Sequence, residues 1–230
     1  MRIWSLIFSL LLSHSILAKD LPNSINITYD LSFEKKPLGS IDVKYRKDKS
    51  RYKIIASSNF LGAMNLLGNY QLISSGHIKG NRYFPDSIVR KNLKKDKQTI
   101  TTIDYKKELI QIQSEKKSKE YQLKKGTQDV LSYFFEFNGF EGLEDNHSFF
   151  ILDSHDYKKY TYRKIKEENL KINDRFIECI KYQGRVNDEE LTHDIWLSRK
   201  NHIPVRIITP TPIGLVVDQV ISKGNIFNLL

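Results

Sequence analysis

The chain has 230 residues, with 37 Lys and Arg against 27 Asp and Glu, a net charge of +10. That length carries one domain with a real core and is marginal for two; a 40% hydrophobic content laid down in patterned segments excludes a disordered chain. One cysteine excludes an internal disulfide, and the abundance of Lys, Asn and Ile makes the positive charge a solvated surface rather than a nucleic-acid face.

In chain order, Arg2 precedes an almost wholly apolar run from Ile3 to Leu12, which ends at Ser15-Ile16-Leu17-Ala18 ahead of Lys19-Asp20. A basic start, a short apolar stretch and a small-residue end make a secretory signal peptide. The run falls short of the roughly 20 residues that a spanning helix needs, and no Cys follows Ala18 to carry a lipid. The expectation is a signal peptide over residues 1–18 and a single β-rich exported domain over residues 19–230, located in the periplasm. A retained N-terminal anchor is the alternative.

The period is then two. Ile25, Ile27, Tyr29, Leu31 and Phe33 alternate with polar residues, a turn follows at Lys35 to Gly39, and Ile41, Val43 and Tyr45 alternate again, which is a hairpin with one wet face. Further strands are expected over residues 51–57, 70–76, 82–92, 99–106 and 109–114, with Pro85 marking a bulge or an edge. After a break, strands resume over 149–153, 158–166, 175–185, 191–198, 204–209 and 215–222. Cys179 falls in one of them and reads as a buried, inert thiol.

Two segments break the alternation. Phe60 to Gly68 is apolar without a period and reads either as a short helix or as an apolar loop. Residues 127–135 read as a helix, with Thr127 as its cap, Asp129 in the first turn where the helix dipole favours a carboxylate, and an apolar stripe of Val130, Leu131, Phe134 and Phe135. The fold class is mainly β: a strongly curved antiparallel sheet or incomplete barrel of about ten to twelve strands, with one or two short helices that cover a face or plug a mouth.

An ordered set of motifs runs through these elements. The Tyr29 to Tyr45 hairpin carries Gly39 before its second strand. Ser75-Gly76-His77-Ile78 is followed by Pro85, then come Asp129-Val130-Leu131-Ser132-Tyr133-Phe134, Trp196-Leu197-Ser198 and Pro204-Val205-Arg206-Ile207. In this order they resemble an exported Gram-negative bacterial family catalogued as a domain of unknown function. The resemblance implies a strongly curved antiparallel sheet or incomplete barrel with helix packed into it, similar to the open-barrel lipoprotein carriers of the periplasm. It implies no activity. The chain departs from the family pattern where an Arg is expected a turn after the aromatic pair, because Phe137 and Asn138 stand there.

Catalytic signatures are missing: there is no metalloprotease helix, phosphate loop, nucleophile elbow or Cys-x-x-Cys pair. Ser132 lacks the flanking glycines that expose a nucleophile. His147, Asp153, His155 and Asp156 are the densest set of metal-ligand types, and they are equally what a polar turn contains. The charge runs at 91–97 and 115–120 lack interleaved aromatics, against a nucleic-acid partner. No cofactor, metal or catalytic residue is expected, and no enzyme. The expected function is binding of an apolar, acyl or lipid-like envelope ligand in a curved-sheet cavity, with Phe60, Met64, Leu131, Phe134, Phe135 and Trp196 as candidate ligand-binding residues. An envelope scaffold that binds a protein partner is the alternative, and a hydrolase of an envelope polymer is a third reading. Peripheral contact with a membrane is compatible with the basic surface.

Overall fold

The computed structural model describes residues 21–140, 145–153, 156–187, 192–211 and 214–230. The expected signal peptide lies outside them. Among the described residues, fifteen strands form one sheet in the order β8-β7-β6-β5-β4-β3-β2-β1-β15-β14-β13-β12-β11-β10-β9. The strands are β1 (Ser24–Phe33), β2 (Lys36–Asp48), β3 (Arg51–Phe60), β4 (Tyr70–Lys79), β5 (Arg82–Asn92), β6 (Lys97–Asp104), β7 (Leu109–Ser114), β8 (Ser118–Gln122), β9 (Thr127–Asp129), β10 (Asn146–Leu152), β11 (Tyr157–Ile172), β12 (Arg175–Val186), β13 (Thr192–Ser198), β14 (Pro204–Pro210) and β15 (Val216–Gly224). The α-helix is α1 (Ser132–Glu136), and a 3-10 helix covers Gly62–Leu67.

The expected hairpin is β1 and β2. Ile25, Ile27, Tyr29 and Leu31 are buried while Asn26, Thr28 and Asp30 face out. Glu34 and Lys35 both hold positive φ at its turn, the conformation that matches strand twist in a two-residue hairpin. Asn173 and Asp174 do the same between β11 and β12. Of the bulge or edge expected at Pro85, the structure has the bulge: the β4–β5 register shifts between Ser75 and Gly76, which pairs with Pro85. A Cβ at position 76 would lie 2.1 Å from the carbonyl oxygen of Phe84, so only glycine fits the squeezed strand.

The strand count exceeds the expected ten to twelve because all thirteen segments read as strands are present and two more join them. Ser118–Gln122 is mostly exposed and reads as a charge run, yet it pairs with β7 as an edge strand. Thr127–Asp129, expected at the start of a helix, is instead a short strand parallel to β10. The helix begins only at Ser132. Thr127 does not cap it; its hydroxyl donates to the Lys124 carbonyl at 2.6 Å. A ladder partner for residues 127–129 overrides their local helix signals, and single-sequence periodicity cannot see that partner.

The sheet is strongly curled, and its ladder is not closed: β8 and β9 are its two edges. Curling brings them close. Ile103, Ile110 and Ile112 of β6 and β7 pack on Leu152 of β10, and Tyr121 of β8 meets Tyr157 of β11 edge-on. The chain from β9 to Phe140 then turns into the concave space and fills much of it. Connections alternate between two ends. The near end carries the β1–β2, β3–β4, β5–β6 and β14–β15 connections, and the far end carries β4–β5 and β13–β14.

A candidate ligand-binding cleft

The plug is held by polar contacts. One Asp129 carboxylate oxygen accepts the Leu131 and Ser132 N–H groups at 2.8 and 3.0 Å, and the other accepts the Ser74 hydroxyl at 2.6 Å. Asp129 thus caps the first turn of α1 and ties it to β4. Ser132 donates to the Gln128 side chain, which in turn donates to the Tyr83 carbonyl. Burial raises the Asp129 pKa, and these hydrogen bonds oppose the rise. Toward the far end, Glu136 bonds the Arg82 guanidinium and accepts the Tyr83 N–H at 2.7 Å; burial raises its pKa too. Asn138 donates to the Asn201 carbonyl. A Cβ on Gly139 would lie 2.1 Å from the Asn81 carbonyl oxygen, so the plug meets the β4–β5 turn backbone to backbone.

Apolar packing follows the same course. Phe135 stacks on Tyr45 at 4.6 Å, and Phe137 is fully buried among Phe149, Tyr162 and Tyr182. Phe134, on the other side of the helix, is half-buried. It faces the near end, where the interior is not filled.

Two hollows open there. The larger, about 360 Å³, is lined by Tyr133, Ile151, Tyr160, Val186, His193 and Pro210, among others. The smaller, about 180 Å³, is lined by Tyr29, Ile41, Val43, Ala56, Leu72 and Leu131, among others. Both are bounded by Val130, Phe134 and Gln219, so they are two lobes of one cleft parted by the plug. The larger lobe alone falls in the range of about 300–1,000 Å³ usual for small-molecule sites.

The polar groups of the larger lobe are uncharged. His193 Nε2 and the Tyr162 hydroxyl share a 2.7 Å hydrogen bond. Burial pushes the His193 pKa down to about 4, so the ring is neutral at pH 7. Burial raises Tyr133, Tyr160 and Tyr162, which keeps their phenols protonated. The smaller lobe is almost wholly aliphatic and aromatic. Such walls suit an apolar guest with a neutral polar end and disfavour a buried ion.

Of the six candidate residues read from the sequence, Leu131 and Phe134 line the cleft. Phe135 lies behind them in the packed core. Phe60 and Met64 are half-buried on the rim, at the end of β3 and in the 3-10 helix. Trp196 sits on the opposite face of the sheet from the cleft. It pairs across the ladder with Lys181 and Arg206, whose cations lie 4.7 and 5.0 Å from its ring, and its indole N–H donates to Glu168. Sequence reasoning missed Tyr29, Ile41, Val43, Tyr160 and His193 as lining residues. The alternation of the strands marks them as inward-facing, and nothing in the pattern says which inward positions the plug leaves uncovered.

A third hollow of about 430 Å³ opens at the far end beside Arg82, Tyr105, Glu108, Lys124, Lys125 and Glu136. Its Arg82 and Glu136 already bind each other, so they belong to the anchoring of the plug. Cys179 is buried, its thiol donating to the Ile177 carbonyl, and burial pushes its pKa up to about 12, as expected of an inert thiol. Among the described residues, no group of three His, Cys, Asp or Glu side chains is placed to hold a metal; His155 of the sequence cluster lies outside them. No helix among the described residues is long and apolar enough to cross a membrane.

Comparison with known proteins gives a family and no activity. The profile of the family described as "Protein of unknown function (DUF3108)" matches residues 28–220. Among curated proteins no relative matches the chain. Among solved structures, a Bacteroides fragilis NCTC 9343 protein described as exported and as having a YmcC-like fold is similar at 10% identity, over 89% of this chain and 96% of that one, with a TM-score of 0.36. A likeness of that size says nothing about ligand or chemistry.

Proposed function

We propose a carrier role for this chain, which belongs to the DUF3108 family of proteins of unknown function. In this reading it is an exported, non-catalytic protein that holds an apolar, acyl-type envelope ligand in the two-lobed cleft. The observation that carries the reading is the cleft beneath the near rim, with a smaller lobe of Tyr29, Ile41, Val43, Leu72 and Leu131 and a larger lobe whose His193 and tyrosines are neutral. A chain of methylenes would displace water from those walls, and each buried CH₂ contributes about 0.8 kcal/mol. The Tyr160, His193 and Gln219 side chains would face a neutral polar end.

Native mass spectrometry of protein recovered from the periplasm, followed by lipid extraction, tests this directly. The expected result is a bound species that the Val130→Trp variant loses while keeping its fold, since a bulky ring at position 130 enters both lobes. A ligand-free wild type, together with no rise in melting temperature on titration with any acyl compound, would overturn the carrier reading and leave the envelope-scaffold reading in front.

A further inference from the structure

Seven large apolar side chains stand exposed among the described residues, and three of them stand on the β3–β4 and β5–β6 connections at the near end. Leu61 is 56% exposed, Leu66 75% and Leu93 57%. The connections that carry them are joined. Leu93 N–H donates to the Asn69 carbonyl at 2.9 Å, which fastens the β5–β6 turn to the β3–β4 connection. Leu61 N–H donates to the Leu38 carbonyl at 2.8 Å, which fastens that connection to β2. Phe60, at the end of β3, and Met64, on the same connection, are half-buried.

Lysines frame it. Lys94 and Lys95 stand exposed on the β5–β6 turn, whose backbone is fixed by the Asn92 side chain accepting both of their N–H groups. Lys35 lines a surface hollow together with Leu61, and Lys36 is its exposed neighbour. Lys97 is exposed and lies 3.7 Å from Glu115. The acidic groups beside them are Asp30, Glu34, Asp96 and Glu115, against Lys35, Lys36, Lys94, Lys95 and Lys97. Exposed leucines ringed by lysine are unusual for a surface that meets only water. They match a bilayer surface, where apolar side chains enter the headgroup layer and ammonium groups meet lipid phosphates.

We propose that this rim docks on an anionic phospholipid surface, with Leu61, Leu66 and Leu93 entering the headgroup layer and Lys35, Lys36, Lys94 and Lys95 binding the phosphates. The docked orientation turns the mouth of the cleft toward the lipid, which gives an acyl guest a short path in and out. The inference deepens the carrier reading, and its test is read independently of bound ligand.

Protein recovered from the periplasm would be floated with vesicles of phosphatidylcholine alone and with vesicles of phosphatidylcholine and phosphatidylglycerol in equal parts. Binding is expected to the anionic vesicles and to fall about tenfold in Leu61→Ser/Leu66→Ser/Leu93→Ser and in Lys35→Ala/Lys36→Ala/Lys94→Ala/Lys95→Ala. All variants share the wild-type N-terminus, so the difference isolates the rim. If the triple variant fails to fold, Leu66→Ser alone, at the most exposed of the three leucines, is the measurement. Val130→Trp is expected to bind vesicles like wild type, so loss of the carrier function and loss of docking are separable. Equal binding to both vesicle types, binding untouched by the rim variants, or no binding to either would overturn the proposal. Cross-linking of position 66 to an envelope protein in place of lipid would do so in favour of a protein partner.

Discussion

The two ends of the curled sheet treat the plug in opposite ways. At the far end it is fixed by charge and by backbone: Glu136 on Arg82 and Tyr83, Asn138 on Asn201, Gly139 against Asn81. At the near end it meets the sheet through Val130 and Phe134, and space remains on both sides of them. Directional bonds hold a short segment in one place without requiring that every inward side chain be covered. Such bonds fix the plug at Asp129 as well as at Glu136, and the interior beside Val130 and Phe134 stays open. The contrast is sharpest between adjacent aromatics of one helix, Phe135 stacked on Tyr45 and Phe134 facing the cleft.

Truncating those rings tests the contrast with the largest expected effect. Phe137→Ala and Phe135→Ala remove fully enclosed rings and are expected to cost about 3–5 kcal/mol each. For a domain of this size that is a fall of roughly 10 °C in melting temperature. Phe134→Ala removes a half-buried ring and is expected to cost about 1–2 kcal/mol while enlarging the cleft. Denaturant melts of the three variants check this. Equal losses at 134 and 137 would mean that the near end is as close-packed as the far end.

Much of this architecture was legible in the chain because one-sided burial writes a period of two. The β1–β2 hairpin, the bulge or edge at Pro85 and the presence of the strands after residue 145 follow from alternation and turn residues, while β11 runs six residues past its expected end at 166. The misreadings share a cause. Residues 127–129 carry helix-start chemistry, and only their pairing with β10, which no local pattern encodes, makes them a strand. Trp196 reads from the sequence as a core residue ahead of a ligand-stacking one, and its burial bears out the core reading; its pairing with Lys181 and Arg206 puts it on the face of the sheet away from the cleft. The cleft was legible as a preference for apolar residues at 131 and 134. Its other walls come from strands far apart in sequence, and the space between them depends on where a fourteen-residue plug stops. His193 was invisible as a lining group because a single histidine on a strand has no pattern of its own.

The polar half of the contrast breaks at Asp129. Asp129→Ala strips the acceptor from two N–H groups and from Ser74, all buried, and is expected to cost about 2–3 kcal/mol. Asp129→Asn keeps a carbonyl oxygen for Leu131 and Ser132, and the Ser74 hydroxyl can turn to accept from the new amide. It is expected to cost about 1 kcal/mol, in keeping with a carboxyl whose charge burial already disfavours. Comparable losses from both variants would assign the role of Asp129 to its charge rather than to its capping geometry.

The smallest effect sharpens the open end, through pH. His193 is buried with its pKa depressed from 6.5 to about 4, so the unfolded chain binds a proton that the folded chain refuses across that interval. Stability is then lost as pH falls below about 6.5 and levels off below about 4, the sign opposite to that of a histidine paired with an acid. Asp129 and Glu136 act in reverse, because burial raises their pKa and the folded state holds their protons more tightly, which adds stability as pH falls. The wild-type curve sums these terms, so a difference is needed to isolate one. His193→Gln keeps a polar side chain beside Tyr162 and removes the titration. Between about pH 7 and about pH 5.5 the wild type is expected to lose about 1 kcal/mol relative to this variant in paired urea melts. A difference that stays flat over that interval would mean that His193 is solvated in the folded protein, and that the larger lobe of the cleft is wet rather than apolar.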